Sequence, residues 1–258
     1  MFKKALIKKG VKILVHNPKL IPSLLTFDFH KIYCSYFKQK LDEARKNYQN
    51  SRKVDTEYPL LKKIQFINKK ILDGDSRNEA YFIPLYFLVR ELKPEVIIET
   101  GVHRGVSSLF ILQALEDNGK GNLYSIDLPL AEYETDSRGS TKSLLQPENV
   151  GICVDKNLRK RWKLILGDSK KELPDLLSSL KSTDMFIHDS KHTYEHMKWE
   201  FDTVWPYLNE KGILISDDTN WNSAFTDFAT KVNRKNIELE RERNSSETFG
   251  IILKNEFL

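Results

Sequence analysis

Two cysteines in 258 residues, Cys34 and Cys153, are too few and too far apart along the chain for a disulfide framework or a cysteine metal centre. They read as ordinary thiols, and a reducing compartment is the expected setting. Long apolar runs are missing as well. The longest, Ala80 to Val89, contains Pro84 and falls far short of the ~20 residues that a bilayer-crossing helix needs. Lys3, Lys4, Lys8, Lys9 and Lys12 break up any signal-peptide core, and no small-residue cleavage site follows them. Secretion is therefore not expected, and a cytoplasmic location is. Internal repeats and low-complexity tracts are also absent.

What is present divides unevenly. Residues 1–70 carry 17 Lys+Arg against 5 Asp+Glu, net +12, and the remainder is net −7, so a basic arm precedes an acidic body. Phe2, Leu6, Ile7, Val11, Ile13 and Leu14 share one helical arc opposite Lys4, Lys8, Lys9 and Lys12, with the helix ending near Asn17-Pro18. Such a helix either packs on the body or lies on an anionic membrane surface, so residues 1–17 are expected to give peripheral contact at the inner membrane face. Residues 28–70 look helical and polar. The division expected is a basic helical extension over 1–75 and one α/β domain over 76–258.

After Asp73-Gly74-Asp75, helices alternate with short β-branched runs, the pattern of a parallel sheet covered on both faces. Strands are predicted at Val96–Glu99, Asn122–Ile126, Lys163–Leu166, Met185–His188, Gly212–Ser216, Ile237–Arg241 and Phe249–Leu253, a doubly wound seven-stranded and mostly parallel sheet. Met197, Phe201, Val204 and Leu208 fall at core-facing helical spacing. Residues 128–160, with Pro129, Pro147 and Arg138-Gly139-Ser140, read as an irregular covering loop over a substrate.

The first strand runs into a glycine turn and a helix: Glu99-Thr100-Gly101-Val102-His103-Arg104-Gly105-Val106-Ser107-Ser108. Glycines there let a ligand approach bare backbone, and the helix that follows offers unsatisfied N–H groups. A dinucleotide site would want glycine where His103 stands, since a pyrophosphate must lie against the backbone. A nicotinamide-dependent epimerase or reductase should also carry a Tyr-x-x-x-Lys couple; Tyr194 and Lys198 have that spacing, without the glycine fingerprint that should accompany it.

The spacing Glu-x-Gly-x-x-x-Gly resembles the first motif of the class I S-adenosylmethionine-dependent methyltransferases, and the likeness extends over residues 76–258. It implies the Rossmann-like fold of that family, with S-adenosyl-L-methionine as cofactor. Glu99, Gly101, Val102, Gly105 and Ser107 would form the cofactor turn, Asp127 at the end of the second strand would accept both ribose hydroxyls, and Asp168 after the third would lie near the adenine amine.

Asp189 closes the fourth strand and Asp217-Asp218 the fifth. In neighbouring parallel strands these ends open on one rim, where three close carboxylates repel unless a cation sits between them. Oxygen-only ligation points to Mg²⁺, with Mn²⁺ or Ca²⁺ as alternatives. The arrangement resembles the metal-dependent O-methyltransferases of the catechol and sugar-modifying types. Asp189-x-x-His192 matches the sugar-modifying type, in which that histidine is the base; the catechol type usually has Asn where Asp218 stands. His188 and His196 read as structural.

The activity expected is metal-assisted O-methylation of a hydroxylated small molecule, a sugar or glycosylated metabolite. Metal-independent methylation is the nearest alternative. Nucleic acid is disfavoured, because no aromatic-and-basic stacking platform accompanies the basic arm. The sequence leaves oligomeric state open.

Overall fold

The computed structural model describes residues 29–51, 82–129, 145–240 and 247–255. The basic helix expected over 1–17 lies outside them, as do residues 130–144 of the expected covering loop.

Helices α1 (Phe29–Ser51) and α2 (Phe82–Leu92) precede an alternation of β1 (Val96–Thr100), α3 (Val106–Asn118), β2 (Asn122–Asp127), β3 (Trp162–Leu166), α4 (Ser169–Leu180), β4 (Thr183–His188), α5 (Tyr194–Val204), β5 (Leu208–Ser216) and α6 (Ala224–Lys231). Strands β6 (Asn236–Glu240) and β7 (Thr248–Leu253) close it. One seven-stranded sheet results, ordered β3-β2-β1-β4-β5-β7-β6. It is parallel from β3 to β5, while β7 runs antiparallel to both of its neighbours.

The central strands are apolar on both faces, and their side chains divide by residue parity. Ile97, Met185, Ile187, Ile213 and Ile215 pack under α1, α2 and α3, while Ile98, Phe186 and Leu214 pack under α4, α5 and α6. Met197, Phe201, Val204 and Leu208 are buried as their spacing requires. The order of strand addition reverses between the parallel neighbours β1 and β4, and the carboxyl edge at such a switch point is where open α/β sheets bind ligands.

The cysteines correct the sequence reading: Cys34 of α1 and Cys153 form a disulfide across a sequence separation of 119. Distance along a chain says nothing about distance once a sheet has closed, so the argument for free thiols and a reducing compartment falls. Alongside the disulfide, α1 is bolted down by Arg45, whose Nε and Nη2 each donate to Asp117 at 3.0 Å, and by Tyr48, whose hydroxyl donates to Glu91 at 2.7 Å. Its Phe37, Leu41, Ala44 and Tyr48 belong to the same core as α2 and α3, so what looked polar in sequence carries one apolar stripe. Closing so long a loop stabilises by roughly 2–4 kcal/mol. Dithiothreitol is therefore expected to lower Tm by several degrees, and Cys34→Ser should remove that sensitivity; equal Tm with and without reductant in the wild type would contradict the assignment.

Residues 145–160 of the expected covering loop are packed rather than irregular. Leu145 and Val150 bury against Val102, Gly151 N donates to His103 O at 2.8 Å, and Cys153 N donates to Arg104 O at 2.9 Å. This segment supports the glycine turn from below.

Candidate active site

Strand β1 ends in a turn whose backbone only certain residues adopt. Gly101 (φ 85) and Gly105 (φ 77) lie in the left-handed region, and His103 (φ 50) occupies it without glycine's freedom. A Cβ at Gly101 would sit 1.9 Å from the Asp189 carbonyl oxygen, and one at Gly105 would sit 2.8 Å from Gly151 Cα. These glycines are required by close backbone approach: the cofactor-type turn after β1 is pressed against the acid-bearing end of β4. Asp189 N also donates to Thr100 O at 2.8 Å.

Asp127 lies under this turn. Its Oδ2 accepts from Val102 N at 2.6 Å and His103 N at 2.8 Å. Burial pushes its carboxyl up, and the two N–H donors partly offset that. One carboxylate oxygen is thus committed to shaping the turn, so Asp127 does not present a wholly unengaged carboxylate to a ribose. Glu99 is fully buried and accepts from Ser107 (2.5 Å), Ser108 (2.6 Å) and Ser125 (2.7 Å). Burial raises its carboxyl, against the three hydroxyl donors. Glu99 and Ser107, expected at the cofactor turn, are bonded to one another and with Ser108 and Ser125 tie β1, β2 and α3 together. Asp168, half-buried at the end of β3, caps α4 by accepting from Lys170 N at 2.9 Å. Gly167 N donates to Asp127 O at 2.9 Å, which keeps the ends of β2 and β3 in step.

The chemical end forms as the strand order requires, with one change of membership. Asp189, His192 and Asp217 bring ligand atoms within 4.8 Å of one another, a set of two carboxylates and an imidazole able to hold a divalent cation. Asp218, expected as the third acid, lies outside this trio; its Oδ2 stands 4.0 Å from His192 Nδ1. Asp218 adopts a left-handed backbone (φ 48) at the start of the turn Thr219–Trp221. That turn also presents Trp221, 56% exposed, with its ring 5.4 Å from the His192 ring.

Behind this rim lies a carboxylate that the sequence reading missed. Glu200 of α5 is fully buried and accepts from Thr100 Oγ1 (2.6 Å) and Ser190 Oγ (3.1 Å). It also pairs with His188 Nδ1 at 2.7 Å and His196 Nε2 at 3.0 Å. Burial alone would raise its carboxyl, but the charge and hydrogen bonds of His188, then His196, outweigh it and hold Glu200 well below the usual range. His188 and His196 are structural as expected, yet paired. The one signal in the sequence was the i,i+4 spacing of His196 and Glu200 on the apolar face of α5. The Tyr194/Lys198 couple is engaged elsewhere: Tyr194 donates to Asp227 of α6 at 3.1 Å.

Residues 98–219 match the family described as a methyltransferase domain. No protein of curated function matches the sequence. Among solved structures, the chain is similar to a Klebsiella pneumoniae protein assigned as an O-methyltransferase, at 14% identity over 78% of this chain and 92% of that one, TM-score 0.50. It is also similar to the O-methyltransferase NovP, at 17% identity over 67% of this chain and 78% of that one, TM-score 0.50. At such identities the likeness is one of fold.

Proposed function

We propose that this chain is a class I S-adenosylmethionine-dependent methyltransferase that transfers the methyl group to a hydroxyl of a small, oxygen-rich metabolite with a divalent cation at the rim, a reading supported by the methyltransferase-domain match over residues 98–219 and by the fold. The observation that carries this reading is the meeting of Asp189, His192 and Asp217 beside the Gly101 turn. A cofactor held by that turn, by Asp127 and by Asp168 would have its sulfonium methyl directed at the same crevice. Asp189 and Asp217 would hold a divalent cation such as Mg²⁺ or Mn²⁺ there, which when bound would supply Lewis acidity to the acceptor hydroxyl.

His192 takes the hydroxyl proton on a ring nitrogen, and Asp218 at 4.0 Å from Nδ1 favours the imidazolium so formed. The acceptor oxygen forms its bond to the methyl carbon as the carbon–sulfur bond breaks, leaving S-adenosylhomocysteine. Trp221 offers an exposed aromatic wall beside His192, which suits an acceptor that presents a ring face, as a sugar does.

The test is transfer of label from methyl-labelled S-adenosylmethionine into a hydroxylated small-molecule extract. Label is expected in an alkali-stable ether, lost with a chelator and restored by Mg²⁺. Undiminished transfer in chelator would leave a metal-independent methyltransferase.

A further inference from the structure

We infer that Glu200 is a positioning residue that couples the cofactor half of the site to the metal half, an inference that rests on the metal reading above. A buried carboxylate survives only if its lone pairs are satisfied, and the donors here come from the ends of β1 and β4 and from α5 itself. Thr100, which donates at 2.6 Å, immediately precedes the Gly101 turn. His188, paired at 2.7 Å, immediately precedes Asp189, and Ser190, at 3.1 Å, immediately follows it. His196, at 3.0 Å from Glu200, lies 3.2 Å from Ser169 Oγ, next to the adenine-side Asp168. One carboxylate therefore holds the three segments that would carry cofactor turn, adenine contact and metal acid.

The backbone continues the linkage. Asp189 N donates to Thr100 O at 2.8 Å and Asp217 N donates to His188 O at 2.9 Å, while Gly101 touches the Asp189 carbonyl. Asp189 and Asp217, if drawn together on a bound cation, would fix residues 188–190 between them. Glu200 passes that order to Thr100 and so to the turn. A ligand binding to a turn already ordered loses less freedom, so the two sites should bind with positive cooperativity, and the coupling must be reciprocal.

The experiment is calorimetric titration of S-adenosylhomocysteine, which lacks the sulfonium charge, with and without saturating Mn²⁺. In the wild type Mn²⁺ should raise the affinity at least about fivefold. Glu200→Gln preserves shape but presents an N–H₂ group where only donors converge, so both ligands should still bind, more weakly, with that ratio reduced to about one. Thr100→Val leaves the buried carboxylate with its other three partners and should fold even where Glu200→Gln does not; it too should bring the ratio toward one while leaving Mn²⁺ affinity near the wild-type value. A purely structural role would lower affinities and Tm but preserve the ratio, and a ratio kept in the variants overturns the inference. A wild-type ratio of one with Mn²⁺ bound overturns it alone. Failure of Mn²⁺ to bind the wild type overturns it together with the metal reading.

Discussion

Gly101→Ala is expected to abolish useful cofactor binding, with S-adenosylhomocysteine affinity falling at least ~30-fold, equivalent to about 2 kcal/mol. Two costs combine. The residue sits at φ 85, where a Cβ is strained by about 1 kcal/mol, and that Cβ would lie 1.9 Å from a backbone oxygen rather than a side chain that could swing away. Relief requires the ends of β1 and β4 to part, which opens the turn and displaces Asp189. Gly119→Ala is the control: its φ of 73 carries the same conformational strain, but nothing lies within 4 Å of the added carbon. It should cost stability alone and leave affinity unchanged. Calorimetry on both variants checks this, and wild-type affinity in Gly101→Ala would mean that the turn is not where the cofactor lies.

His192→Ala should lower kcat by about 10²–10⁴-fold, the usual contribution of a general base, with S-adenosylhomocysteine affinity unchanged. Because the ring lies among the atoms of Asp189 and Asp217, it has two chemical roles open to it, ligand and base. They separate by measurement. A base leaves Mn²⁺ affinity within about threefold of wild type, whereas loss of a ligand costs about tenfold or more. We expect the first pattern, since Asp218 stands 4.0 Å from Nδ1 as a partner for an imidazolium. A large loss of Mn²⁺ affinity with little change in kcat at saturating metal would reassign His192 as a ligand.

The central strands were legible because each carries a short apolar run bounded by a turn signal, and because a sheet covered on both faces leaves that run no other place to go. The acids at their ends were legible for the same reason: parallel strands deliver their final residues to one rim. Side-chain direction at that rim was not. Asp217 and Asp218 are neighbours in sequence, yet only Asp217 joins the trio with Asp189 and His192, and no residue pattern announces the left-handed backbone at Asp218. Glu99 carries the motif's acid, but whether it meets a ligand or three serines depends on Ser125, which comes from another strand. The Cys34–Cys153 bond and the Glu200 cluster were hidden for one reason as well: each joins segments that only the closed sheet brings together.

The central claim is that a divalent cation at Asp189 and Asp217 lies next to the methyl group to be transferred. Proton relaxation of bound S-adenosylmethionine in the presence of Mn²⁺ reads this directly, because paramagnetic broadening falls steeply with distance from the ion. The S-methyl resonance should broaden far more than the adenine protons, and Asp217→Asn or a chelator should reverse the effect. Equal broadening of methyl and adenine protons, or none, would contradict a metal-assisted transfer at this rim.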